Sequence, residues 1–210
     1  MNDLRILFIT PVFRVDPYLR RLSGLVVRMA RLVNKVKVIT MMIEAREIPD
    51  EVEVVQVPSI EVVRTMLWPI LKPSKFFKAV KSEEKKFDIK HFFKIDYLTS
   101  WGVLVCHQKR ILTIDNFPGI DYDHGETLVN MVSALYVFLS SKFLLTKFDG
   151  IISLSTTSLN TAERLGFKKG SREMIPLGID TDVIRPDEKI GTEIREGLEL
   201  EGPVALYVGR

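Results

Sequence analysis

Leu4-Arg5-Ile6-Leu7-Phe8-Ile9-Thr10 is an apolar run interrupted only by Arg5 and closed by Thr10. It is too short for the apolar region of a signal peptide. It reads instead as a strand buried on both faces of a sheet. Runs of the same kind recur at 36–42, 52–57, 88–93, 111–115, 150–155 and 173–177. Helix-length segments fall between them, at 21–33, 75–87, 97–108, 127–147 and 157–165. This alternation predicts a doubly wound α/β fold: a mainly parallel sheet of about seven strands with helices on both faces. Such sheets bind ligands beyond the carboxyl ends of their strands. The loops after Thr10, Phe93, Asp115 and Ser155 are therefore the places to look for a site.

Composition narrows the class. The chain has 210 residues and 46% hydrophobic content, enough for a substantial core. Its one cysteine, Cys106, has no internal disulfide partner, and no Asn-x-Ser/Thr acceptor is present. A reducing, cytoplasmic setting is the expectation. The segment 128–148 carries only Lys142 and Lys147 as charges, but Asn130, Ser133, Ser140, Ser141 and Thr146 interrupt it, so a mostly buried helix is expected rather than a membrane span. The net charge of +3 is unevenly distributed. Residues 5–37 hold eight Lys/Arg against Asp16 alone, residues 64–90 hold eight against three acids, and residues 180–201 hold eight acids against three bases. Sorted positive charge points to an anionic partner, either phosphate or a lipid surface. Nucleic acid is set aside, since no recognisable module or interleaved exposed aromatics accompany the basic zones. Residues 186–203 are polar and rich in charge and Gly, as a linker would be.

Several chemistries lack their motifs. No GxGxxG follows the first strand, and no GxxxxGK[ST] or G-x-S-x-G is present. His91, His107 and His124 have no metal-ligand spacing among themselves or with Cys106. Asp180-Thr181-Asp182 fits the DxD pattern of a metal-assisted sugar transferase, but it also fits a turn after Gly178, where Asp bonds its own backbone. No metal or other cofactor is expected.

Four pieces of the chain together carry a family resemblance. The opening strand is followed by the small pair Ser23-Gly24 entering a helix. Phe87-Asp88-Ile89-Lys90-His91 and Phe148-Asp149-Gly150-Ile151-Ile152-Ser153-Leu154-Ser155 are two Asp-led strands. Ile175-Pro176-Leu177-Gly178-Ile179-Asp180 through Pro186 is followed by Leu206-Tyr207-Val208-Gly209-Arg210. In this order and spacing they resemble retaining glycosyltransferases of the GT-B fold, family 4. The resemblance implies a Rossmann-like acceptor-binding domain over 1–183, a linker over 184–203, and the first strand of a truncated donor-binding domain over 204–210. It also implies transfer of a sugar from a nucleotide diphosphate sugar to a sugar or lipid-linked acceptor, with retention and without a metal. A chain that stops at Arg210 is then expected to be inactive alone, its C-terminal domain missing.

The resemblance assigns roles by position. Arg210 matches the arginine that meets the leaving diphosphate, where fixed donors stabilise developing charge. Ser23 and Gly24 match the turn whose backbone N–H groups face the same phosphates; close helix–sheet packing is the other reading of Gly24. Thr113-Ile114-Asp115 stands where relatives carry Thr-x-His, so Asp115 takes the catalytic position, to stabilise positive charge or act as a base. Asp115 and Asn116 also suit a plain turn before Phe117-Pro118-Gly119. Arg14, Asp16, Tyr18 and Asn116 are candidates for acceptor contact, with a solvated loop as the alternative for the first three.

The lysine-rich zone suggests a surface. Lys75, Lys78, Lys81 and Lys85 recur on one face of a helix that Ser74 would cap, with Phe76, Phe77, Val80 and Phe87 mainly on the other and Trp68 just upstream. Such a helix either docks on an anionic membrane, making the protein peripheral at the inner face, or packs its aromatic face on the sheet. A non-enzymatic sugar-phosphate or nucleotide-binding module is the alternative function class.

Overall fold

The computed structural model describes residues 2–15, 22–45, 48–60, 70–71, 73–95, 98–107, 109–115, 117, 127–176 and 186–204. The chain divides into two units, Met1–Leu177 and Gly178–Arg210. The first is built from β1 (Asn2–Val15), α1 (Leu22–Leu32), β2 (Val33–Ala45), β3 (Val52–Gln56), β4 (Ser59–Ile60), β5 (Ile70–Leu71), α2 (Pro73–Glu84), β6 (Ile89–Phe93), β7 (Arg110–Ile114), α3 (Thr127–Leu144), β8 (Gly150–Ser153), α4 (Thr156–Leu165) and β9 (Ser171–Met174). Two 3-10 segments, Leu98–Val105 and Leu145–Lys147, complete it.

Seven strands form one sheet in the order β3-β2-β1-β6-β7-β8-β9, every neighbouring pair parallel. Leaving aside the short antiparallel ladder of β4 and β5, this is the doubly wound order, which reverses at β1. The chain leaves the sheet edge after β3 and re-enters beside β1 as β6. The point where the order reverses is therefore the β1–β6 boundary.

Alternation along β1 makes the two cores. Leu7 and Ile9 face one cluster, with Phe76, Phe92, Leu112 and Ile151. Ile6 and Phe8 face the other, with Val26, Val36, Val38 and Phe93. Helix α1 buries Val26 and Val27 and passes directly into β2. Helix α4 is delimited by its caps: Ser155 Oγ accepts from Ser158 N, and Gly166, at φ 124°, donates to Ala162 and Glu163 carbonyls. Gly170, at φ 110°, has no room for a side chain, since a Cβ would lie 2.3 Å from the Asp149 carbonyl oxygen.

Five details differ from the sequence expectation. Strands β1 and β2 run on past Thr10 and Thr40 and pair with each other as far as Val15↔Ala45. Arg14 is thus on a strand, in register with Glu44, and not in a loop. The residues expected to form a helix at 97–108 make a 3-10 segment over Leu98–Val105, in which Gly102 packs against Phe76, 3.0 Å from a notional Cβ to the ring. Helix α2 begins at Pro73, whose fixed φ suits the first helical position, so Ser74 lies inside the first turn and is not the cap. Helix α3 is not mostly buried: Val137, Ser140, Ser141 and Leu144 face inward, while Met131, Leu135, Phe138, Leu139 and Phe143 are exposed. Uniform apolarity along that segment hid which face would turn in.

The second unit contains α5 (Glu188–Gly197), capped by Asp187 Oδ1 on Ile190 N at 3.0 Å. It lies within the stretch read as a linker, and none of its residues is buried.

Candidate functional site

The carboxyl ends of β1, β6, β7 and β8 form the edge where a doubly wound sheet binds ligands. Two threonines close the body of the sheet there. Thr10 and Thr40 are paired in register, both buried, and each points its hydroxyl at the carbonyl two residues ahead, 3.0 Å from Val12 O and 3.0 Å from Met42 O. Thr40 Oγ1 is also 3.2 Å from Pro11 O. Beyond them the β1–β2 pair extends past the end of the other strands. Helix α1 ends at the amino edge, where β2 starts, so its first turn is at the carboxyl edge. That turn contains Ser23 and Gly24, and Gly24 is buried against the fold.

Lys94 follows β6 immediately, at the reversal point. Its backbone is left-handed, φ 64°, which for a lysine costs about 1–2 kcal/mol. The conformation is held by Lys94 N donating to Thr113 O at 2.9 Å, one strand away. It sets Lys94 Nζ 2.9 Å from Asp115 Oδ2, with both side chains about one-third exposed. Asp115, the residue the resemblance singled out, therefore does not stand alone. It presents a carboxylate already matched with an ammonium, an acceptor and a donor side by side. Such a pair suits a sugar hydroxyl, or a hydroxyl and a phosphate oxygen together.

Asp115 is also tied to the next element. Its carbonyl accepts from Ser158 Oγ at 2.9 Å, and Ser158 N donates to Ser155 Oγ at 3.2 Å, at the start of α4. Ser153 Oγ in turn donates to Ser155 O at 2.8 Å. The hydroxyls of 153–158 lock the α4 N-terminus beside the Lys94–Asp115 pair. A helix N-terminus carries unsatisfied N–H groups and favours negative charge. Lys94 and Ser158 escaped the sequence reading. Nothing in Phe93-Lys94-Ile95 signals a left-handed lysine, but the Ser155–Ser158 spacing is a legible cap.

The two Asp-led strands prove to be structural. Asp88 Oδ2 accepts from Arg5 N at 2.9 Å and Arg5 Nε at 3.1 Å, while Oδ1 accepts from Arg5 Nη2 at 3.0 Å. Asp149 repeats this on Arg110, at 2.8, 3.0 and 2.9 Å. Each is a clamp at the amino edge, opposite the candidate site. Arg5 holds the Asp88 carboxyl down at about 2, through hydrogen bonds from its side chain and backbone. Arg110 lowers Asp149 in the same way. His91 is likewise a core residue: it stacks on Phe93 at 4.6 Å between centroids and bonds Thr113 Oγ1 at 2.7 Å. Burial pushes it down to about 3, so it is neutral. Burial, with Glu84 nearby, pushes the Cys106 thiol up to about 12, which removes it as a nucleophile.

The remaining expected residues fall in three groups. Asp16, Tyr18, Trp68, Asn116, Asp180, Asp182 and Arg210 lie outside the described residues, and of Arg14 and Ser23 only the backbone is described. Lys75, Lys78 and Lys81 are exposed along α2, as expected, and Lys85 is exposed in the turn just past its end. The aromatic face beside them is not available to a bilayer: Phe76 and Phe87 are 1% and 3% exposed, and Phe77 packs against the same core. Among the described residues no helix is long and apolar enough to cross a membrane, and no group of three His, Cys, Asp or Glu side chains is arranged to hold a metal.

No protein-family model matches the chain, and no curated protein matches it in sequence. Among solved structures it is similar to the sucrose-phosphate synthase of Thermosynechococcus elongatus, with a TM-score of 0.63 at 15% identity, over 94% of this chain and 53% of that one. A second solved form of that synthase aligns with a TM-score of 0.49 at 16% identity. The chain thus spans about half the length of that synthase chain. At this identity the likeness is one of fold: a seven-stranded, parallel, Rossmann-like α/β domain.

Proposed function

We propose that the chain is the acceptor-side domain of a GT-B glycosyltransferase, which moves a sugar from a nucleotide diphosphate sugar to a hydroxyl acceptor with retention and without a metal. The observation that carries this reading is the Lys94–Asp115 pair, held at the β1–β6 reversal of a fold shared with sucrose-phosphate synthase. In this reading Asp115 orients the acceptor hydroxyl and stabilises positive charge at the transferred carbon. Lys94 offsets negative charge on the donor phosphates, and the first turn of α1, with Ser23 and Gly24, adds N–H donors. Arg14, Asp16, Tyr18 and Asn116 complete the acceptor side, and Arg210 meets the leaving diphosphate.

The test is amide NMR on the 210-residue chain, titrated with free sugars, sugar phosphates and nucleotide diphosphate sugars. Shift changes at Lys94, Asp115, Ser158 and Gly24 are expected with at least one class. Asp115→Asn is expected to weaken that binding about tenfold, the loss of one charge-assisted contact. Silence at this edge with every class overturns the reading. The chain alone is expected to turn over no donor sugar, and measurable transfer by it would overturn the assignment to one side of the reaction.

A further inference from the structure

At the amino edge of the same sheet a cleft of about 610 Å³ is lined by Lys81, Glu84, Lys85, Phe87, Asp88, Lys90, His107 and Lys109. We propose that this cleft is a second binding site, for a phosphate monoester or diphosphate group, separate from the carboxyl-edge site. Strand β6 is 5 residues long, so the two edges are about 15 Å apart at a strand rise of about 3.3 Å per residue. The proposal does not depend on the reading given to the carboxyl edge.

Lys90 carries the argument. It is 5% exposed, yet its ammonium makes no hydrogen bond among the described residues, and the carboxylate facing it, Glu84, is 3.8 Å away. A buried ammonium is costly unless its N–H donors are met. Glu84 is only partly available to it, since Oε1 already accepts from His107 Nδ1 at 3.0 Å. Lys90 therefore lines the cleft with its nearest carboxylate 3.8 Å away, and Asp149 adds only a more distant counter-charge.

The other lining charges add to the demand for an anion. Both oxygens of Asp88 are taken by Arg5, from outside the cleft. Lys81, in the last turn of α2, and Lys85, just past its end, are exposed, with no ion pair among the described residues. Lys109 also lines the cleft, on a left-handed backbone of φ 50° that is anchored where Lys90 N donates to Lys109 O at 3.0 Å. Four lysines thus face two carboxylates that are already engaged. A dianionic phosphate supplies several acceptor oxygens where a carboxylate supplies two, and it matches the surplus of charge. Phe87 in the wall leaves room for the rest of a small organic phosphate.

Calorimetric titration of the 210-residue chain with inorganic pyrophosphate, ionic strength held constant with chloride, tests the site. Saturable one-to-one binding is expected, and Lys90→Met should weaken it at least tenfold. That variant leaves Glu84 with less compensation, so a second comparison keeps the test decisive if it fails to fold. Lys109→Gln, exposed and outside the core, should weaken binding several-fold. Lys75→Gln, on the same helix as Lys81 but outside the cleft, should leave it unchanged. Vesicles of phosphatidic acid in phosphatidylcholine form the other arm. Vesicle binding reversed by pyrophosphate assigns the site to a lipid headgroup, and pyrophosphate binding without vesicle binding assigns it to a soluble phosphate. No saturable binding, or equal weakening by Lys109→Gln and Lys75→Gln, overturns the proposal.

Discussion

Asp88 and Asp149 do one job twice, each fastening the start of a strand to the arginine of its neighbour through three hydrogen bonds. Both work only as anions, which gives the fold a defined response to acid. Asp88 sits at about 2 in the folded chain against about 3.9 when unfolded. Its stabilising contribution is complete above the unfolded value and disappears as pH falls from about 4 towards 2. Chemical unfolding of the wild-type chain should therefore show stability falling across that window, and Asp88→Asn should flatten the slope while lowering stability at neutral pH. An unchanged slope would remove the clamp as its cause. The Phe-Asp signature was plain in the sequence at both places, but its purpose was not. A motif read by spacing does not reveal which edge of the sheet it occupies, and these two occupy the edge away from the candidate chemistry. Asp115 is the converse case. Its place was legible from Thr113-Ile114-Asp115, whereas its partner depends on the left-handed backbone of Lys94, which no local pattern announces.

Helix α2 shows how tertiary packing decides between two faces. Its sequence offered an aromatic face and a lysine face with equal clarity, and only the sheet settles which one water sees. Phe76 lies against Gly102 and Phe92 in the core, while the four lysines remain outside. Phe76→Ala should accordingly cost about 3–5 kcal/mol of unfolding free energy, and Lys78→Glu should change it by about 0.5 kcal/mol or less. Urea denaturation followed by circular dichroism separates the two. A small loss for Phe76→Ala would return the aromatic face to the surface and with it the membrane contact first expected there. Helix α3 was harder to read because large apolar residues occur all round it. Its inward face uses Ser140 and Ser141 beside Val137 and Leu144, and small residues of that kind seat a helix closely without advertising it.

Across the whole molecule the order of strands followed from the alternation of apolar runs, because parallel strands need crossover helices and right-handed crossovers leave few arrangements. What alternation does not encode is how far each strand runs, so the β1–β2 extension past Thr10 and Thr40 went unread. The boundary between units was also obscured, since α5 is an ordinary capped amphipathic helix inside a stretch whose composition suggests a linker. A helix of 10 residues with none buried has little beyond its own hydrogen bonds to hold it. Limited trypsin digestion should cut first at Lys189 or Arg195 and leave a resistant fragment containing the seven-stranded sheet. Initial cleavage within that sheet would contradict this division of stability. The two arginine–aspartate clamps sit on one rim of the sheet and the Lys94–Asp115 pair on the other, so the residues that secure the strands are not those that would meet a substrate. Lys94, Asp115 and the residues beside them are then open to replacement at little structural cost, and selection for a new acceptor has a surface it can rewrite while the clamped rim keeps the strands in register.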